Sequence, residues 1–161
     1  MTGRQKIFSR YDLRIYLQWT KRWKRPPVIV FTNGCFDILH EGHLRFLQEA
    51  ATAGDMLVVA VNNDASVYAN KGEGRPFNVL EMRMNMLAAW PFVDFVAGFS
   101  ETTPAKIISL LRPDVLVKGP DWPVEKIVGA KMVKGWGGQV KTIDVGINSS
   151  TTGIIEKAKK I

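Results

Sequence analysis

The sequence is poor in the residues that build several common kinds of site. It has one cysteine, Cys35, in 161 residues. No internal disulfide is possible, which suits a reducing compartment. It has only two histidines, His40 and His43, so no paired set of His and Cys ligands can be assembled for a structural zinc. No apolar run approaches the length of a membrane span. The first thirty residues are basic and polar, unlike a signal peptide. There is no internal repeat and no low-complexity tract. The expectation is a soluble, cytoplasmic, single-domain protein, whose 46% hydrophobic content suffices for a core without staples.

Acidic residues are scarce in one place. Residues 1–27 hold eight Lys and Arg against one acid, Asp12, a net +7. The remainder carries fourteen of each sign. The charge therefore belongs to an N-terminal element and not to the body of the domain. A basic helix is ordinarily a solvated face, with an anion-facing or subunit-contact role as the alternative. Two divisions follow: a basic amphipathic helix over 1–27, and the main domain over 28–161.

Ser9 and Asp12 form a capping pattern that starts the helix. Leu13, Tyr16, Leu17 and Trp23 share a face, with Trp19 near its edge, and Pro26-Pro27 ends it. Strands are expected at Val28–Thr32, Met56–Val61, Asp94–Phe99, Asp114–Val117 and Gln139–Ile143. Helices are expected at Leu44–Ala53, from a cap of Asn78 and Glu81 to Trp90, from Thr103-Pro104, over Pro123–Lys134 and over Ser150–Lys159. Residues 62–77 read as a polar loop. Strands that alternate with helices and run continuously apolar predict an α/β fold, a Rossmann-like doubly wound sheet of five parallel strands with helices on both faces. Ligands in such folds bind outside the carboxyl ends of the strands. That directs attention to loops 33–43, 62–77, 99–103, 118–123 and 144–151.

The first of these loops runs Thr32, Asn33, Gly34, Cys35, Phe36, Asp37, Ile38, Leu39, His40, Glu41, Gly42, His43. Gly34 permits close backbone approach to a ligand. The two histidines, three apart at a helix start, can project to one side. The unpaired N–H groups there suit phosphate. A zinc site from His40, His43 and Asp37 is a competing reading that lacks a further ligand. Cys35 has no separate His-Asp relay and reads as a packed thiol rather than a nucleophile.

The stretch TNGCFDILHEGH resembles the H-x-G-H signature of the cytidylyltransferase-like nucleotidyltransferases. The similarity continues through AVNNDASV, KGEGRP, DVLVKGPDW and SSTTGIIE, and is greatest to the bacterial heptose 1-phosphate adenylyltransferases of the ADP-heptose pathway. That resemblance implies transfer of AMP from ATP to a sugar 1-phosphate, with release of pyrophosphate, in lipopolysaccharide biosynthesis. It also implies a stand-alone form without the sugar kinase domain to which such enzymes are often fused. His40 and His43 match the pair on the triphosphate. Thr32, Gly34 and Phe36 match the first phosphate loop, with Asn33, Cys35 and Gly42 beside them at the nucleotide, and Asp37 matches the family's aspartate in the same loop, which orders the loop or orients metal or ligand. Ser150 and Thr151 match the hydroxyl pair before the last helix. Arg83 matches an arginine near the nucleotide, and Lys71 and Arg75 match basic residues that close over phosphates and acceptor.

Lys118, Gly119 and Asp121 lie on the nucleotide edge beyond the fourth strand, and Trp122 can wall the acceptor pocket or simply pack. Asn62 and Asp64 face the acceptor or make an Asx turn. Mg²⁺ is expected, bound mainly by the triphosphate. The partners expected are a nucleoside triphosphate and a phosphorylated sugar, with no nucleic acid, no membrane, and self-association as a homodimer or higher oligomer. The glycerol 3-phosphate cytidylyltransferases, which use CTP, resemble R-T-x-G-x-S-T before the last helix. Residues 144–151 contain no arginine. The departure argues against that acceptor and leaves its phosphate one cation short, a gap that Arg75 is expected to fill. Cytidylyl transfer to glycerol 3-phosphate or a similar alcohol phosphate, and a non-catalytic nucleotide- or RNA-binding module, remain the alternatives.

Overall fold

The computed structural model describes residues 6–146 and 151–158, without the side chains of Thr151 and Thr152. Helix α1 spans Arg10–Thr20, followed by β1 (Ile29–Gly34), α2 (Glu41–Ala51), β2 (Met56–Asn62) and α3 (Asp64–Lys71). The chain goes on through α4 (Leu80–Ala88), β3 (Phe95–Phe99), α5 (Ala105–Leu111), β4 (Val115–Lys118), α6 (Ala130–Gly135), β5 (Gln139–Thr142) and α7 (Thr151–Ala158). The five strands form one parallel sheet in the order β3-β2-β1-β4-β5. The expected doubly wound α/β architecture is therefore present, with its switch point between β1 and β4.

Period-two alternation along the strands divides the core in two. Ile29, Phe31, Val58, Ala60, Phe95 and Leu116 face one layer, which also takes Leu13 and Leu17 of α1 and Ile107 and Ile108 of α5. Val30, Leu57, Val59, Val61, Val96, Val115 and Val117 face the other, with Leu47 of α2 and Leu87 of α4. The inner strands are apolar throughout because both faces are covered. The edge strand β5 is not, and Gln139, Lys141 and Thr142 are exposed. A polar edge strand blunts pairing with other chains. At the sheet end away from the site, Asp55, Asp94 and Asp114 accept the backbone N–H of Val28, Leu57 and Ile29 and brace neighbouring strands.

Several expected boundaries change. Helix α1 is capped by Ser9, whose hydroxyl accepts from Asp12 N–H, but it ends at Thr20 and not at Pro26. Trp23 therefore lies beyond it. The polar loop of 62–77 contains α3, capped by the Asn63 side chain accepting from Ser66 N–H. Its Asn- and Lys-rich sequence hides a helix held by its cap and by buried Val67. Helix α4 has Val79 at its cap with no side-chain bond, because Asn78 is turned to Asp37. The helix expected over Pro123–Lys134 breaks into a 3-10 turn at Val124–Lys126 and α6. Gly129 separates them at φ +93, and a Cβ there would meet Ile108 at 2.6 Å. That left-handed backbone favours glycine.

Candidate functional site

A cleft of about 700 Å³ opens at the carboxyl ends of β1, β2 and β4. The loop after β1 forms its floor. Phe36 adopts a left-handed backbone at φ 49, unusual for a bulky residue. Its ring lies 5.4 Å from that of His43. A Cβ on Gly34 would sit 3.0 Å from the Phe36 ring. Gly34 thus makes room for an aromatic side chain, where the sequence suggests room for a ligand.

His40 is the N-cap of α2, with no side-chain capping bond. The two imidazoles stack at 3.8 Å between ring centres, 34° from parallel. Among the described residues, Nδ1 of each is buried with no hydrogen-bond partner, as is the Thr32 hydroxyl. Burial, reinforced by repulsion from His40, lowers the His43 pKa to about 4, and burial lowers that of His40. Both rings are neutral at pH 7. Polar atoms left unpaired in a folded interior are rare, and here three of them border one cleft. The arrangement can offer donors to an anion without carrying a fixed charge of its own.

Across the switch point, the Lys118 ammonium donates to the Asn33 carbonyl at 3.0 Å and to its side-chain oxygen at 3.2 Å. It lies 5.8 Å from the ring centre of Trp122. Burial pushes its pKa down to about 8. No carboxylate pairs with it among the described residues. Gly119, Asp121 and half-exposed Trp122 continue this wall. Lys71, Asn62 and Gly42 also reach the cleft, as does Cys35, whose thiol pKa burial raises, away from thiolate character.

Asp37 has a different setting. It is 1% exposed and accepts from Arg75 Nε at 2.6 Å, Phe77 N–H at 2.8 Å and Asn78 N–H at 2.9 Å. Burial alone would raise its pKa, but the amides of Asn78 and Phe77 and the Arg75 guanidinium outweigh it, and the carboxyl stays below its ordinary value. With its oxygens so engaged, Asp37 is not poised as a third metal ligand beside the histidines. Among the described residues no three His, Cys, Asp or Glu converge to hold a metal.

Two expected site residues do not line the cleft. Arg83, fully buried, donates to the carbonyls of Asn78 and Cys35 and to Asp64 Oδ1 at 2.7 Å. It fastens α4 and the start of α3 to the floor loop, and Asp64 is its counter-ion. Arg75 does line the cleft, but its Nε is committed to Asp37. The conflict arises because an arginine near a phosphate loop reads the same from sequence whether it touches phosphate or holds the loop. Asn62 donates to Ser66 Oγ at 2.9 Å, and the turn it was expected to make is made by Asn63. Ser150 lies outside the described residues, as does the Thr151 side chain.

The cleft also contains residues that the sequence reading passed over: Asn70, Thr102, Thr103, Ile127 and Val128. Thr102 and Thr103 follow β3, so the strand-end rule already points at them. Ile127 and Val128 carry no such signal, because they enter only through the break before α6.

Fold and cleft together define an α/β protein of the doubly wound class with a ligand-sized cleft at the carboxyl end of its sheet. The chain belongs to the cytidylyltransferase-like family of nucleotidyltransferases, whose model matches residues 31–157. The bifunctional protein HldE of Pseudomonas putida is 54% identical over 132 residues, which is 82% of this chain and 28% of that protein. The chain therefore spans little more than a quarter of the curated relatives it matches. The lipopolysaccharide core biosynthesis protein from Thermoplasma volcanium is similar in structure, with a TM-score of 0.61 and 27% identity, covering 76% of this chain and 99% of that one. Pantoate-beta-alanine ligase from Francisella tularensis shares the fold at a TM-score of 0.62 and 15% identity, over 96% of this chain and 78% of that one. No helix among the described residues is long and apolar enough to cross a membrane.

Proposed function

We propose that this chain transfers AMP from ATP to a heptose 1-phosphate, releasing pyrophosphate and forming the ADP-sugar. The observation that carries the reaction class is the stacked, neutral pair His40 and His43 at the start of α2, with both Nδ1 atoms unpartnered among the described residues. An oxygen of the acceptor phosphate attacks the α-phosphorus in line. The α–β phosphoanhydride bond breaks, and its electron pair leaves with pyrophosphate. The attacking oxygen is already anionic, so the site needs positioned donors more than a general base. The imidazoles take the α-phosphoryl oxygens where charge develops. Lys118 and Lys71 supply positive charge. By the family resemblance, Ser150 and Thr151 are the hydroxyl pair for the β- and γ-phosphates. Mg²⁺ neutralises the triphosphate when bound.

The choice of acceptor rests on the motifs shared with heptose 1-phosphate adenylyltransferases and on the likeness to a lipopolysaccharide core biosynthesis protein. Pyrophosphate release should be measured with ATP and with CTP, each against a heptose 1-phosphate and glycerol 3-phosphate, with His40→Ala as control. Release from ATP and the heptose alone, abolished in the variant, is the expected result. Release only from CTP would keep the mechanism and overturn the substrate. Release that survives His40→Ala would overturn the site.

A further inference from the structure

Helix α1 has two faces of different character. Leu13, Leu17 and Thr20 are buried against the core. On the opposite side Tyr11, Ile15 and Trp19 recur every fourth residue and are 55%, 66% and 55% exposed. Trp23 continues the stripe just past the helix, and its ring meets that of Trp19 edge to face at 5.2 Å. Arg14, Lys21, Arg22, Lys24 and Arg25 surround the stripe, all exposed. The one acid of the segment, Asp12, accepts from the Ser9 hydroxyl at the helix cap. On the neighbouring element Glu101 is held by Arg10 and Lys106, and Arg112 is cationic too. The stripe and its cations precede the region matched by the family, and none of them lines the cleft.

We propose that this face docks on the polar interface of an anionic lipid bilayer. Tryptophan and tyrosine favour the boundary between headgroups and acyl chains, and a surrounding set of Lys and Arg favours a negatively charged leaflet. A helix ridge bearing both is the form of an interfacial anchor, which lies on the membrane and does not span it. A second copy of the chain is a poor partner, because the contact would bring two segments of net +7 together. Single-stranded nucleic acid is also a poor fit. The Trp19 and Trp23 rings stand at 87° to each other and form no parallel platform for successive bases.

The full chain should be floated with vesicles of phosphatidylcholine alone and of an equimolar mixture with phosphatidylglycerol, at low and high salt. Flotation with the anionic vesicles only, weakened by salt, is expected. Each cation near such a surface contributes about fivefold in partitioning. The double variant Trp19→Ala/Trp23→Ala and the double variant Arg14→Glu/Arg22→Glu should each lower partitioning about tenfold or more, with the melting temperature of the protein kept. Equal flotation with neutral vesicles, no flotation at low salt, or flotation indifferent to both variants would overturn the proposal. So would retention of polyuridylate, or a concentration-dependent dimer in sedimentation, that the variants abolish while vesicles remain unbound.

Discussion

The loop after β1 places two polar clusters a few residues apart, and they are finished differently. Around Asp37 every strong group is matched: Arg75, two backbone amides and the Asn78 side chain converge on one residue, and Arg83 ties the same loop to Asp64. Around His40 and His43 the reverse holds, with both Nδ1 atoms and the Thr32 hydroxyl buried and unpaired among the described residues. A saturated network holds a loop in shape. An unsaturated one, bordering a cleft, is prepared for a ligand that completes it. The two clusters contain the same residue types that a sequence reading groups together as a phosphate site. Their hydrogen bonds separate a completed scaffold from an open cluster at the cleft.

Substitutions can test that separation. Losing an unsaturated donor should remove activity and spare stability. His40→Ala should lower the turnover of pyrophosphate release about 10²- to 10³-fold, the usual effect of deleting one preorganised donor, with little change in melting temperature. A comparable loss of stability would place His40 in the scaffold. Losing a saturating group should do the opposite. Arg83→Met leaves two buried carbonyls unmatched and should cost about 3 kcal/mol in urea unfolding. A fully stable but inactive Arg83→Met would move this arginine into the catalytic cluster.

Asp37→Asn sets an amide N–H₂ against donors and should cost about 2 kcal/mol. It should also change the acid limb of stability. The Asp37 carboxyl titrates below its ordinary 3.8 when folded, so its contribution is complete above about pH 4 and is lost as pH falls through the depressed value. Asp37→Asn lacks that loss, which urea titrations at pH 5 and below would show as a flatter profile.

His43 titrates near 4 when folded and at 6.5 when free, so the unfolded chain binds the extra proton first. Its contribution to stability is present above pH 6.5 and declines as pH falls towards 4. His43→Asn should flatten that part of the curve, and an unchanged slope would show the ring to be more hydrated than its burial indicates. The smallest effect is expected at Arg10. Its hydrogen bond holds the Glu101 pKa down to about 2, yet both side chains are partly exposed, and Arg10→Ala should cost less than about 1 kcal/mol. A larger cost would show that α1 depends on this pair more than on Leu13 and Leu17.

The contrast also shows where reading from sequence is strong. Continuous apolar runs such as Val28–Thr32 and Met56–Val61 predicted buried parallel strands because a sheet covered on both faces permits little else. The strand-end rule then put loop 33–43 and residues 118–122 at the ligand edge. The weaker readings share a cause. Helix α3 has little amphipathic pattern and depends on a cap at Asn63 that resembles a turn. The break before α6 depends on a left-handed Gly129 pressed against Ile108, a contact between segments twenty residues apart. The length of apolar runs bears on spanning alone, and it does not register a stripe of Tyr11, Ile15 and Trp19 on a short helix whose other face is consumed by the core.

By itself the sequence determined the α/β alternation, the H-x-G-H loop at the start of a helix, and the confinement of excess positive charge to the first 27 residues. These depend on local periodicity and composition, which the chain carries wherever it folds. Only the tertiary structure decided that Arg83 and Asp64 brace the floor, that Arg75 answers Asp37, and that Lys118 stands at the switch point without a carboxylate among the described residues. A charged side chain has the same propensity in either role. What it does depends on which partner folding brings within about 3 Å, and that distance is set by the packing of strands far apart in the chain.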